Sequence, residues 1–224
     1  MKRIAISFIL VLTLISANAQ PDSIPATRPV FRPRATWIVP TVMVGYGFAA
    51  LEIKSLHQWD SRIVNNLHAN NPGFRTHADD YLQYTPALLV YGLNAVGIKG
   101  KHDFVDRSVI YFMANLIMAV PVNGLKKITH SQRPDGIGFN AFPSGHTAIS
   151  FVGAEFMRRE YMERSPWYGV AGYLIAGTTG TLRMLNYRHW FRDVMAGAGI
   201  GILSAELAYK LYPVIKKKLF PRKK

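Results

Sequence analysis

The sequence predicts an all-α protein: a polytopic membrane bundle of about six helices with an active site at one end. Apolar stretches rich in Leu, Ala, Gly, Ile and Met recur along the chain, and none alternates apolar and polar residues as a β-strand does. Short basic and polar segments separate them. Hydrophobic residues make up 49% of the 224 residues, yet mean hydropathy is only +0.07, which is low for a chain lying mostly in lipid.

The first part of the chain has the pattern of a secretory signal. Two basic residues precede a short apolar run, and a small-residue cleavage pattern ends at Ala19, so residues 1–19 are predicted to be a signal peptide. An uncleaved short anchor is the alternative. Residues 20–35 hold four prolines and three arginines, which predicts an extended linker. Residues 36–224 are then one helical domain.

Six apolar segments in this domain are predicted to be helices. The second, fourth and fifth of them are short for a bilayer span, which takes ~20 residues. Glu155 and Glu206 are unfavourable in lipid, so they either face protein or lie in segments that do not cross. The small residues over 196–201 predict close helix packing, with an ordinary core helix as the alternative. The segments are 37–53, 84–98, 109–125, 147–157, 167–182 and 190–213.

Three short segments at the ends of these helices combine fixed cations, a glycine turn and two histidines. Phosphoryl transfer without a metal needs this set: cations for the phosphate oxygens, backbone N–H groups from the turn, and histidines as nucleophile and acid. If consecutive helices run antiparallel, all the segments meet on one face of the bundle. The candidate residues are Lys126, Arg133, Ser144, Gly145, His146, Arg183, His189 and Asp193.

The spacing of these residues resembles that of the type 2 phosphatidic-acid phosphatase family, which shares a core with bacterial acid phosphatases and vanadium haloperoxidases. Lys126 stands seven residues before Arg133, Pro-Ser-Gly-His occupies 143–146, and His189 is followed four residues later by Asp193. Leu182 departs from the pattern, because the family usually has Ser there. That departure bears on substrate preference more than on catalysis.

The resemblance implies a role for each candidate. His189 is expected to attack phosphorus and carry a phosphohistidine, while Asp193 binds its other ring nitrogen and fixes the tautomer. His146 is expected to act as the general acid on the leaving group. The expected phosphate-binding groups are Lys126, Arg133, Ser144, Gly145 and Arg183.

No metal or other cofactor is expected. The chain has no cysteine, which excludes disulfides and cysteine-based zinc sites. A second set of histidines and aspartates has the composition of a metal site, but the spacing of these residues fits no ligand template. Asp79 or Asp80 is predicted instead to cap a helix that begins near Tyr81. The group comprises His57, His68, His77, Asp79 and Asp80.

The net charge of +14 favours an anionic partner, and because no nucleic-acid motif is present, an anionic lipid surface is expected rather than nucleic acid. Basic residues concentrate in the loops opposite the motifs, which predicts that those loops are cytoplasmic. The catalytic face would then lie on the periplasmic side of a bacterial inner membrane. A cleaved signal followed by six crossings contradicts this orientation unless 37–53 is interfacial or re-entrant.

The function predicted from these features is hydrolysis of a lipid phosphate at the membrane. The family resemblance implies the substrate candidates: lipid A phosphate and undecaprenyl diphosphate are favoured, with phosphatidate and phosphatidylglycerol phosphate as further ones. A soluble periplasmic acid phosphatase is one alternative, and low mean hydropathy favours it. A catalytically idle membrane scaffold is the other. Oligomeric state does not follow from the sequence.

Overall fold

The computed structural model describes residues 35–219, and this part of the chain contains helices and no strand. The predicted signal peptide and all but the last residue of the predicted linker lie outside the described residues. The predicted all-α class is confirmed. The helices are α1 (Ala35–Glu52), α2 (Lys54–Asn70), α3 (Ala78–Leu82), α4 (Thr85–Ala95), α5 (Phe104–Thr129), α6 (Gly145–Tyr161), α7 (Pro166–Leu185) and α8 (Phe191–Leu219).

The described residues form two more helices than the six that the sequence predicts. One is α2, an amphipathic helix whose buried side includes Asp60 and Val64 while most of its other positions are exposed or half-buried. The other is α3, which is barely more than one turn long. An apolar-run criterion detects neither, because amphipathic and very short helices lack a continuous apolar stretch.

Two of the described helices, α5 and α8, are long and apolar enough to cross a membrane. The pair α1 and α2 gives a third candidate, which is bent by 102° near Ile53 and so has the form of a broken span or a re-entrant loop. Along α5, apolar side chains exposed to the surroundings fall three or four residues apart and therefore share one face. This stripe consists of Val105, Val109, Phe112, Leu116 and Val120.

The small-residue run of α8 brings that helix close to its neighbours, as the sequence predicts. A Cβ atom added at Gly197 would lie 2.5 Å from the Ser144 carbonyl oxygen, and one at Gly199 would lie 2.5 Å from the Pro40 carbonyl oxygen. Only glycine permits such an approach of helix to backbone. The start of α8 is thereby held against the start of α6.

The two glutamates that are unfavourable in lipid face protein. Arg158 of α6 donates from Nε to Glu155 at 2.8 Å and from Nη2 to Glu206 of α8 at 2.9 Å. Tyr173 of α7 also donates to Glu155. All three charged groups are buried, so this network compensates charges that would otherwise be costly in the interior.

Candidate active site

The second and third motifs are joined directly through the backbone. Ser144 caps α6, its Oγ accepting from the Thr147 N–H, and its own N–H donates to the Asp193 carbonyl oxygen at 2.9 Å. A Cβ atom at Gly145 would lie 3.9 Å from Cε of Lys126, so the first motif adjoins the same turn. The structure therefore brings the three predicted segments together at one end of the bundle.

His189 is 2% exposed and lies just before α8. Its Nδ1 is 2.8 Å from the Ala141 carbonyl oxygen. Because a carbonyl oxygen can only accept, Nδ1 must carry the proton, and the neutral ring then keeps its lone pair on Nε2. The imidazole is thus held in the tautomer in which Nε2 can act as a nucleophile.

The geometry of Asp193 differs from the prediction that its carboxylate fixes this tautomer. Its Oδ2 lies 3.5 Å from Nδ1 of His189, which is too long for a hydrogen bond, and accepts instead from the Trp190 N–H at 2.8 Å. The Ala141 carbonyl is the actual hydrogen-bond partner of the ring. The buried Asp193 carboxyl lies near the imidazole and closes the first turn of α8.

The surroundings of His189 favour its neutral form. Burial lowers the pKa of His189 well below the usual histidine range, and the charges of Arg183, Lys126 and Arg133 lower it further. The predicted cations are therefore close enough to act on the ring electrostatically. A neutral imidazole beside three cations suits attack on an anionic phosphate, because the phosphate would compensate the local positive charge.

The predicted phosphate clamp has donors that protein groups do not use. Nε of Arg133 and Nε of Arg183 are buried, and neither makes a hydrogen bond within residues 35–219. Lys126 donates from Nζ to the Asn140 carbonyl oxygen at 2.6 Å. Buried donors without a partner are rare in folded proteins, and two of them on arginines that lie close enough to interact electrostatically are consistent with an anion-binding site.

Asp79 belongs to this site, although the sequence predicts that Asp79 or Asp80 caps a helix. Its buried carboxylate accepts from Nη1 of Arg183 at 2.6 Å and from Nδ2 of Asn186 at 3.0 Å. The cap prediction is wrong, because His77 is the N-cap of α3 and makes no side-chain cap bond. Asp79 instead holds the guanidinium of Arg183, one of the predicted phosphate-binding groups.

Asp80 also belongs to the site. Its Oδ1 lies 2.9 Å from Nε2 of His146, the predicted general acid, and its Oδ2 lies 3.3 Å from Nδ1 of the exposed His77. The hydrogen bond to His146 lowers the pKa of the Asp80 carboxyl. Burial and the Arg183 charge lower the pKa of His146, and Asp80 opposes that shift. Only the adjacency of two acids in a polar segment hints at this role in the sequence.

Asp79, Asp80 and His146, called here the acidic cluster, have ligand atoms within 4.8 Å of one another, close enough to hold a metal ion. Their donor atoms are already engaged, since Asp79 binds a guanidinium and Asp80 binds the imidazole of His146. A cation held there would compete with Arg183. His57 and His68 do not join the cluster: His57 lines a separate cavity, and the ring of His68 stacks on Tyr187.

A cavity of about 620 Å³ borders the site between the bend of α1 and α2, the end of α5 and the start of α8. It contains none of the predicted catalytic residues. Trp190, which follows His189 in the chain, forms part of its wall. Its lining is mixed, with polar, charged and aromatic side chains: Phe48, Leu51, Glu52, His57, Ile128, Thr129, Ser131, Gln132, Trp190 and Arg192.

Comparison with known proteins finds a matching family model and relatives whose names describe lipid phosphatases. Residues 126–217 match the PAP2 superfamily. A lipid A 1-phosphatase of Porphyromonas gingivalis is 38% identical over 143 residues, 63% of this chain and 32% of that protein. A lipid phosphate phosphatase 1 of Arabidopsis thaliana is 34% identical over 88 residues, 34% of this chain and 27% of that protein. The chain thus spans about a third or less of these relatives' length.

The fold has a counterpart among solved structures. LpxE of Aquifex aeolicus superposes with a TM-score of 0.51 at 20% identity, over 65% of this chain and 93% of that one. This likeness concerns the fold. The family rests on the sequence match, which begins at Lys126 and includes all three motifs: residues 126–217 carry the PAP2 superfamily match that the motif spacing predicts.

Proposed function

We propose that the chain is a membrane lipid phosphatase that hydrolyses a lipid phosphomonoester or diphosphate through a phosphohistidine on His189. One observation carries the proposal: a buried neutral imidazole, with Nδ1 bonded to the Ala141 carbonyl, lies near three cations, and two of them, Arg133 and Arg183, have buried donors without a partner among the described residues. A nucleophile with its proton directed away from the substrate and an anion site beside it is the minimum that phosphoryl transfer requires.

In the first step, Nε2 of His189 forms a bond to phosphorus while the bond from phosphorus to the lipid oxygen breaks. Arg133 and Arg183 would bind the equatorial oxygens, whose charge is more concentrated in the transition state than in the substrate. The lipid oxygen takes a proton from His146 as it leaves. Asp193 and the Ala141 carbonyl stabilise the positive charge that develops on the His189 ring.

In the second step, a water oxygen attacks the phosphorus of the phosphohistidine, and the bond between phosphorus and Nε2 breaks. His146, neutral after the first step, accepts the proton of that water. Inorganic phosphate leaves, and both histidines return to their starting protonation states. No step calls for a metal ion, which agrees with the engagement of the acidic cluster by protein groups.

Lipid A phosphate and undecaprenyl diphosphate remain the favoured substrates, ahead of phosphatidate and phosphatidylglycerol phosphate. The Porphyromonas gingivalis relative, named a lipid A 1-phosphatase, supports the first of them. The mixed lining of the neighbouring cavity suits the sugar that carries the phosphate of lipid A. The outward apolar stripe of α5 disfavours the soluble acid phosphatase, and the unused arginine donors disfavour an idle scaffold.

We infer further that the catalytic end faces the periplasm from the inner membrane. Support comes from the opposite end of the bundle, where basic residues collect. There Lys101 pairs with Glu163, Lys216 pairs with Asp106, and Arg164 donates to the Lys99 carbonyl. Cytoplasmic loops carry such an excess of lysine and arginine.

A substrate panel tests the proposal. Purified protein in detergent is given lipid A, undecaprenyl diphosphate, phosphatidate and phosphatidylglycerol phosphate, and released phosphate is measured for the wild type and for His189→Gln. We expect turnover of at least one lipid, and a loss of at least ~10³-fold in the variant, since covalent catalysis is removed. Failure of the wild type to release phosphate from every lipid, or turnover by His189→Gln near the wild-type rate, would refute it.

A further inference from the structure

Among the described residues, the carboxylate of Asp80 is the hydrogen-bond partner of the His146 ring. It approaches Nε2 at 2.9 Å, and the hydrogen bonds of the described residues include none to Nδ1. Asp80 lies on α3, outside residues 126–217, the segment that matches the PAP2 superfamily. The contact is half-exposed, with 29% of the His146 side chain and 47% of the Asp80 side chain accessible.

We propose that Asp80 is a positioning residue that keeps a proton on Nε2 of His146, so that Nδ1 is the atom that gives and takes the catalytic proton. This role rests on the proposed phosphatase function. A carboxylate accepts but does not donate, so Nε2 must be the donor in the contact. When the imidazolium loses one proton, it therefore loses the one on Nδ1.

The two histidines then work through opposite ring nitrogens. His189 is protonated on Nδ1 by its bond to Ala141 and attacks with Nε2, whereas His146 is protonated on Nε2 and acts with Nδ1. In the first step the Nδ1 proton moves to the lipid oxygen, and in the second step Nδ1 accepts a proton from water. Nε2 keeps its proton throughout, and no proton is left over.

The neighbouring contacts hold Asp80 where this role requires it. The next residue along α3, Asp79, is fixed by Arg183 and Asn186, and the backbone N–H of Thr76 donates to Asn186 at 3.0 Å. The Asp80 carbonyl itself accepts from Nε2 of Gln83 at 2.8 Å. Several hydrogen bonds thus hold the short helix α3 and Thr76, which lies just before it, against the end of α7.

The charges near His146 determine the direction in which its pKa moves when the Asp80 charge is removed. Arg183 of α7 disfavours the imidazolium, as burial does, while Asp80 and the more distant Asp79 of α3 favour it. Removing the Asp80 charge therefore lowers the pKa of His146. Because a general acid must be protonated, the alkaline limb of activity moves to lower pH.

Two substrates separate this role from a purely structural one. A lipid phosphate has a poor leaving group that needs a proton, whereas the nitrophenolate of p-nitrophenyl phosphate leaves without one. For Asp80→Ala we expect kcat/KM at neutral pH to fall ~10- to 100-fold with the lipid and less than about threefold with the nitrophenyl ester. Asp80→Asn, which can still accept from Nε2, should retain more activity than Asp80→Ala.

His77→Gln is the matched control, since it removes the other imidazole that contacts the Asp80 carboxylate, and it should leave both rates and the pH profile near wild type. Equal losses on both substrates with an unchanged alkaline limb would reduce Asp80 to a structural residue and overturn the proposal. Absence of phosphate release by the wild type from both substrates would overturn the proposed function and this role together.

Discussion

Gly197→Ala tests whether the contact of α8 with α6 sets the catalytic geometry. The new methyl carbon would lie 2.5 Å from the Ser144 carbonyl oxygen. That oxygen also accepts the Ala148 N–H at 3.0 Å, and Ser144 is bonded through its N–H to Asp193. The methyl group therefore pushes on the residue that joins the second and third motifs.

The size of the effect follows from this distance. A carbon and an oxygen atom without a hydrogen bond normally stay more than about 3.3 Å apart, so the helices must separate by roughly 0.8 Å. Overpacking of this kind costs about 1–3 kcal/mol of stability. Catalytic groups tolerate only about 0.5 Å of displacement, and a shift near 1 Å costs on the order of 10²-fold in rate.

The assay compares thermal unfolding and kcat for the wild type, Gly197→Ala and Gly177→Ala in detergent. Gly177 lies in α7 with nothing within 4 Å of its added Cβ, so its substitution should leave kcat unchanged and stability equal or slightly higher. We expect Gly197→Ala to lose both stability and ~10²-fold in kcat. Wild-type kcat in a variant of unchanged stability would refute the claim that this packing sets the site.

Three further predictions concern stability, pH and metal. Arg158→Ala removes the guanidinium bound to two buried carboxylates, leaving Glu206 with Arg159 at 3.6 Å and Glu155 with the Tyr173 hydroxyl, and should cost about 3–5 kcal/mol in denaturant unfolding. Lys101→Ala, which breaks an exposed pair, should cost less than ~1 kcal/mol, and equal costs would contradict this. Burial lowers the pKa of His189, so its neutral form persists at acidic pH. The acidic limb of the pH profile of kcat/KM should therefore lie below the usual histidine pKa range. A limb within that range would contradict the burial of His189. EDTA should leave activity intact, because protein groups engage the acidic cluster; loss restored by a divalent ion would reverse that reading.

The helix class and the convergence of the motifs could be predicted because both depend on local pattern. Apolar runs define long helices, and catalytic residues at alternate helix ends must meet if neighbours are antiparallel. The small-residue run around Gly197 likewise indicates close packing, and the structure confirms it. These features need no knowledge of which side chains face each other across the bundle.

The supporting contacts could not be predicted, because each joins residues far apart in the chain. Asp79 meets Arg183, 104 positions later, and Asp80 meets His146, 66 positions later. A local reading assigns a helix-start acid to capping, since capping is what such residues most often do. The partner of His189 is a backbone carbonyl, at Ala141, and any residue type supplies one.

The site of phosphorylation tests most directly whether Nε2 of His189 attacks phosphorus. Wild-type protein is mixed with a radiolabelled lipid phosphate, denatured within the first turnover at alkaline pH, and digested for peptide mapping. Phosphorus NMR then distinguishes the two ring positions. We predict label on His189 at Nε2 and none in His189→Gln. Turnover without labelled histidine, or phosphate on Nδ1, would contradict the account.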